Sequence, residues 1–211
     1  MTIVVATRNP DKLKEIENIL QGLDVELSSL ERYGRVGEVV EDGRTIEENA
    51  LKKARAVRDA TGVSALADDT GLEVDALGGA PGVFSARFAG EKAGYEANNL
   101  KLLEVLEGIS EGGRTARFRC VMALALSDEA ARALPRRVDA FVAEGILEGV
   151  ITREKRGLGG FGYDPVFEVP GSGKTLAEIG TEGKNRISHR YRALVEIREL
   201  MLRSGLAKAR D

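Results

Sequence analysis

The chain has 211 residues, 43% hydrophobic and 31% charged, with a formal net charge of −3 and a single cysteine. Such a chain can bury a sizeable core as one large domain or two lobes. The same figures exclude a disulfide framework and the broad basic footprint of a nucleic-acid binder, so any anionic ligand must be met by local lysines or a metal ion.

The opening MTIVVATRNP has a short apolar run without a basic lead, which predicts a buried strand over residues 2–6 rather than a signal peptide. Asn9-Pro10 then opens a helix to about residue 21, with Asn9 as N-cap and Pro10 in the first turn, and Gly22 ends it. A short strand near 24–28 leads into a loop over 29–44 rich in glycine and acids. Thr45-Ile-Glu-Glu48 has the capping-box pattern and starts a helix that runs to Gly62. Residues 63–68 read as a strand ending at Asp68-Asp69, and residues 78–91 as loop. A helix over about 92–107 carries Leu100, Leu103 and Leu106. Two long strands follow at 114–127 and 136–150, then a glycine-rich loop at 157–165, a short strand at 165–169 and a last helix at 189–204. Cys120 falls within the apolar part of the first long strand and reads as core. No apolar run approaches the ~18 residues of a membrane span, and the cytoplasm is the expected location. The mixed order of elements predicts an α/β fold with a mixed sheet, and the long central strands predict a second lobe with a cleft between the lobes.

One stretch raises a phosphate-loop question. VPGSGKT, residues 169–175, has Gly-Lys-Thr ahead of a helix, but the pattern needs a glycine at 168, where Glu168 stands. A carboxylate there repels phosphate and adds a Cβ to a turn that wants none. Thr175-Leu-Ala-Glu178 fits a capping box instead.

Three polar clusters can carry chemistry. Thr7, Arg8, Asn9, Pro10, Asp11 and Lys12 sit where a strand meets a helix N-terminus, a setting that favours an anion; taken alone, an ordinary capped helix with a surface lysine is the commoner reading. Asp68 and Asp69, followed by Thr70, suit Mg²⁺ or a general base. Neighbouring strand residues point to opposite faces, so the two aspartates should not do the same job. Glu41 in the loop VVEDG can add a third oxygen, or can simply be a solvated loop acid. In GGFGYDP and KNRISHR, Phe161 and Tyr163 can stack on a base, while Asp164, Lys184, His189 and Arg190 can read its edge. His189 is the only histidine, and a cap or a satisfied polar residue is the ordinary reading of it.

Together these stretches resemble one family. T-x-N-x-x-K, A-D-D-[ST]-G-L-x-V-D-x-L-G-G-x-P-G-x-x-S-A-R, G-F-G-Y-D-P-x-F and S-H-R are similar to motifs of the inosine/xanthosine triphosphate pyrophosphatases, with matches from Thr7 to Arg190. The resemblance implies a homodimeric, Mg²⁺-dependent enzyme with an elongated mixed sheet, flanking helices and two lobes around a substrate cleft. It implies hydrolysis of ITP, dITP and XTP to the monophosphate and pyrophosphate. By motif position, residues from Thr7 to Lys12 hold the triphosphate, Asp69 is general base and metal ligand, and Glu41 is a second metal ligand. Thr70 touches substrate, and Phe161, Gly162, Tyr163, Asp164, Lys184, His189 and Arg190 hold the base. Two alternatives stand beside it: a Maf-like nucleotide pyrophosphatase with another base preference, and a non-catalytic nucleotide sensor.

Overall fold

Parallel strands with helical crossovers make up the first part of the chain, and long strands joined by short antiparallel partners the rest. In the computed structural model, residues 1–210 are described except Arg35 and Glu38, and the side chains of Asp11, Thr181, Glu182, Asn185 and Arg186 lie outside the described residues. The elements are β1 (Thr2–Val5), α1 (Pro10–Leu20), β2 (Glu26–Ser29), α2 (Ile46–Thr61), β3 (Ser64–Val74), β4 (Pro81–Gly82), α3 (Tyr95–Val105), β5 (Thr115–Ala125), α4 (Asp128–Ala133), β6 (Ala140–Ile151), β7 (Phe167–Val169), β8 (Lys174–Thr175), α5 (Leu176–Ile187) and α6 (His189–Ser204). The fold is α/β with a mixed sheet and flanking helices.

The chain divides into two compact units: Met1–Asp69, Cys120–Gly145 and Arg190–Asp211 form the first, Thr70–Arg119 and Ile146–His189 the second. In the first unit the strand order is β2-β1-β3-β5-β6, with β1 parallel to both β2 and β3 and Ile3 opposite Ser64. Its core joins Ile3, Val5, Leu66, Met122 and Leu124 of the strands to Ile16 and Leu20 of α1 and Leu194, Ile197 and Met201 of α6. Cys120 is buried in this core, as its place in an apolar strand predicts.

In the second unit the order is β3-β5-β6-β7-β8, with β4 antiparallel on β3 and β7 antiparallel to both β6 and β8. Its core holds Leu72, Leu102, Leu106, Phe118, Leu147, Phe167 and Leu176. Arg114 is buried there and donates from its guanidinium to the carbonyls of Leu106, Ile151 and Thr152 at 2.7 Å each, satisfying backbone at a helix end and a strand end.

Caps set several boundaries. Thr45 accepts from Glu48 N–H, while the Glu48 carboxylate takes Arg44 N–H, so the reciprocal half of that box is shifted by one residue. The box at Thr175 is complete: Thr175 accepts from Glu178 N–H, and Glu178 accepts from Thr175 N–H at 2.7 Å. The "GKT" threonine is therefore a helix cap.

Two expectations change. β3 does not stop at Asp68-Asp69 but runs to Val74, because Leu72 and Val74 continue an inward-facing set that packs in the second core. Of the leucines expected to face inward around α3, Leu106 at its C-cap is buried and Leu103 packs against the core, but Leu100 is exposed and Leu102 takes the buried place.

Gly149 on β6 tests how tightly the second core is built. A Cβ placed there would lie 2.3 Å from the Phe167 ring and 2.7 Å from Glu168 O. Gly149→Ala is expected to cost about 1–3 kcal/mol by overpacking. This corresponds to a fall in melting temperature of roughly 3–10 °C. An unchanged thermal unfolding curve by circular dichroism would contradict it.

Candidate active site

The first cluster lies in the first unit. β1 leads through Ala6 into a turn where Thr7 Oγ1 accepts Asn9 N–H at 3.1 Å, and Asn9 Oδ1 faces Lys12 N–H at a long 3.4 Å. Thr7, Asn9 and Pro10 thus stand at the N-terminal end of α1, where backbone donors favour an anion. Arg8 is exposed and donates to Val36 O at 3.2 Å. The Asp11 side chain lies outside the described residues.

Asp68 is the hub of this cluster. Its carboxylate is 3% exposed, and Oδ2 receives Lys12 Nζ at 2.9 Å and Arg190 Nε and Nη2 at 3.3 and 3.2 Å. Arg190 Nη1 reaches Glu15 at 3.2 Å. Burial pushes the Asp68 carboxyl up, but the charges of Lys12, Arg190 and Lys53 outweigh it and hold the group far below the ordinary carboxylate range. Its strand neighbour Asp69 is half-buried rather than sealed. The period of a strand turns the two side chains to opposite faces, so Asp68 is committed to cations in the interior while Asp69 is accessible.

α2 supplies the rest. Lys53 Nζ contacts Glu41 Oε1 at 2.5 Å. Burial works against the Lys53 ammonium, yet Asp68, Glu41 and Asp69 together hold its pKa above the ordinary lysine value. The Glu41 loop is clasped to the helix: Gly43 N–H donates to Asn49 Oδ1 at 2.7 Å, and Lys52 pairs with Asp42. Lys53 is a residue that motif reading passes over. Its signal was helical spacing, since Lys53 stands four residues after Asn49 on α2.

The second cluster lies in the second unit. Asp164 Oδ2 accepts both Phe161 N–H at 2.9 Å and Lys184 Nζ at 2.5 Å. Asp164 and Lys184 are buried, and the ammonium sits 4.1 Å from the Phe161 ring centroid. Gly160, at φ +76°, permits this: a Cβ there would be 2.2 Å from Asp164 Oδ2. Thr70 follows Asp69 along β3 and is half-buried.

Three further residues expected to hold the base are engaged within the protein. Tyr163 is a buried member of the second core, with its hydroxyl donating to Ser85 O at 2.9 Å. Burial pushes its phenol above the ordinary range. His189 is buried with its ring stacked on Phe118 at 4.7 Å, so packing occupies a face of the imidazole. Asp68 and Glu15 hold the Arg190 guanidinium in the first unit. Successive helical residues point about 100° apart, so adjacency in S-H-R does not give a shared direction.

No group of three or more His, Cys, Asp or Glu side chains is arranged to hold a metal ion among the described residues. That does not disfavour Mg²⁺, which binds through one or two carboxylates completed by waters and phosphate oxygens. Glu41 and Asp69 carry carboxylate oxygens whose charges both act on the one Lys53 ammonium, and oxygen donors of this type suit such a hard ion.

The chain matches the model of the Ham1 family over residues 3–200. It is 52% identical over 197 residues to a protein of Geobacter sulfurreducens named dITP/XTP pyrophosphatase, covering 93% of this chain and 94% of that one. A protein of the same name from Desulforamulus reducens is 50% identical over 203 residues, covering 96% of each chain. Among solved structures, a HAM1 protein from Coxiella burnetii superposes with a TM-score of 0.87 at 39% identity, covering 96% of this chain and 99% of that one. With its motifs, its fold and its full-length relatives in agreement, the chain belongs to the Ham1 family.

Proposed function

We propose that the protein hydrolyses hypoxanthine and xanthine nucleoside triphosphates (ITP, dITP and XTP) to the monophosphate and pyrophosphate. The observation that carries this reading is the pair of neighbouring aspartates on β3, one sealed by Lys12 and Arg190 and the other accessible, with Lys53 and Glu41 beside them. The name dITP/XTP pyrophosphatase borne by relatives up to 52% identical supports it.

The roles follow from charge. The α1 N-terminus with Thr7 and Asn9, together with Lys12 and Lys53, binds the phosphates and offsets charge that grows during transfer. Asp69 takes the proton of a water whose oxygen bonds to the α-phosphorus, the bond to the bridging oxygen breaks, and pyrophosphate leaves. Asp69 and Glu41 would hold Mg²⁺, which supplies Lewis-acid neutralisation of phosphate oxygens when bound. Asp68 keeps Lys12 in place and is a poor base, since the cations around it hold its carboxyl far below the ordinary carboxylate range. Arg190 fixes Asp68. Lys184 donates to a 6-oxo group and Asp164 accepts from N1–H, with Phe161 beside the ring. Following the family resemblance, the active form is a homodimer working in the cytoplasm, with a single peak at twice the monomer mass by analytical ultracentrifugation as the check.

The two aspartates should separate cleanly. Asp69→Asn is expected to lower kcat by ~10²-fold or more while the melting temperature holds. Asp68→Asn removes the buried carboxylate that Lys12 and Arg190 share and should cost about 3–5 kcal/mol of stability. Because the folded Asp68 carboxyl lies below its unfolded value, its stabilisation is present above about pH 4 and is lost as pH falls further, and Asp68→Asn should flatten that acid limb. Near-normal turnover in Asp69→Asn would move the base elsewhere.

Adenine opposes this pair twice: its 6-amino donor meets the Lys184 donor, and its N1 acceptor meets the Asp164 carboxylate. ITP should therefore exceed ATP in kcat/KM by ~10³-fold. Guanine shares the 6-oxo group and N1–H, so Asp164 and Lys184 discriminate against adenine alone. Comparable kcat/KM for ATP and ITP would sink this assignment.

The two lysines that can be read as phosphate ligands should also part. Lys12→Ala is expected to lower kcat/KM for ITP by roughly 10²-fold. Lys174, exposed on β8, should cost less than about tenfold on substitution by alanine, acting only near the Thr175 cap. A dead Lys174→Ala beside a near-normal Lys12→Ala would overturn the map.

A further inference from the structure

We infer that Asn99, on α3, is a positioning residue for nucleobase recognition: its carboxamide sets the shape of the Phe161–Asp164 turn. This rests on the function proposed above and deepens it.

Asn99 is 2% exposed, and its Nδ2 donates to Gly162 O at 2.9 Å. Gly162 is in the left-handed region at φ +64°, between the ring of Phe161 and the carboxylate of Asp164. A glycine does not restrict its own dihedrals, so the orientation of that peptide must be set from outside. The turn's own backbone bond, Asp164 N–H to Phe161 O, is long at 3.3 Å. The Asn99 bond is the shorter of the two and holds the peptide that links Gly162 to Tyr163.

Other contacts from the same helix converge on the same place. Tyr95, the first residue of α3, tilts against Phe161 with centroids 6.4 Å apart. Asn98 accepts Ala89 N–H at 2.8 Å and donates to Ala86 O at 3.0 Å, fixing the loop that carries Ser85. Ser85 O is the acceptor of the Tyr163 hydroxyl. Consecutive asparagines therefore hold the two segments that meet at Tyr163. The Asn99 Oδ1 atom is buried and has no hydrogen-bond partner among the described residues. The polar part of Asn99 thus serves the Gly162 carbonyl.

A positioning role differs from a general packing role in what it moves. The test titrates IMP, and separately inorganic tripolyphosphate, into the full chain by calorimetry, and follows ITP hydrolysis in parallel. Wild type, Asn99→Ala and the isosteric Asn99→Asp are compared; if the alanine variant fails to fold, the aspartate variant, which removes the donor at constant volume, carries the measurement. IMP affinity should fall about tenfold or more in both, with tripolyphosphate affinity held within about twofold and the loss in ITP turnover appearing mainly in KM. An IMP affinity within about twofold of wild type, or an equal loss for both ligands, overturns the inference. A wild-type protein that neither binds IMP nor hydrolyses ITP overturns the proposed function and the inference with it, and is told apart because it appears before any substitution.

Discussion

A carboxylate buried among cations organises the first unit. Asp68 is on β3, Lys12 and Glu15 on α1, and Arg190 on α6, so three elements meet through two acids and two bases. Isolated, any of these charges would be costly to bury; together they are neutral, and each depends on the others being in place. This ties the end of β3 within the first unit to the N-terminal part of α1 and the start of α6 more strictly than apolar packing does, because an ion pair fixes distance and direction while hydrophobic contact fixes neither. It also decides which aspartate is available. A strand that turns Asp68 inward must turn Asp69 the other way.

In the second unit a different constraint operates. A single oxygen of Asp164 serves a backbone N–H and an ammonium, and the chain can pass that close only at Gly160. The pair is thus made by the chain's own residues. Asp164 gives the buried Lys184 ammonium a counter-charge, and the ring of Phe161 gives it a π-face. Preformed partners of this kind discriminate by mismatch, since a base with the wrong donors leaves a buried group unpaired.

What the sequence makes legible follows from range. Local signals worked: the strand at the start, the Pro10 helix opening, Gly62 ending α2 in the left-handed conformation, and the threonine caps are each decided within a few residues. The end of β3 was not local. Asp68-Asp69 look like punctuation, but Leu72 and Val74 carry the strand onward into a core formed by residues far along the chain. The site shows the same division. Motif positions located the polar clusters, but not the direction of each side chain. Tyr163, His189 and Arg190 stand inside motifs expected to hold a base, and only the fold shows that a carbonyl, an aromatic ring and two carboxylates respectively engage them. Lys53 and Asn99 escaped because each is one polar residue on a helix, and only the fold says what a helix faces.

The stretch VPGSGKT makes the same point in reverse. In a phosphate loop the threonine hydroxyl must be open to a metal ion and the loop N–H groups to phosphates. Here Thr175 is 0% exposed, and its hydroxyl donates to Arg156 O at 2.8 Å while accepting Glu178 N–H at 3.2 Å. Its own N–H is bound to the Glu178 carboxylate. Glu178 therefore occupies the helix N-terminus as an anion built into the chain, and the Thr175 N–H together with Arg156 keeps that carboxyl ionised. A phosphate arriving there would meet a carboxylate already satisfying the donors it needs. Seven residues that spell nucleotide binding thus spell a helix cap, because the competing acceptor is supplied three positions further on.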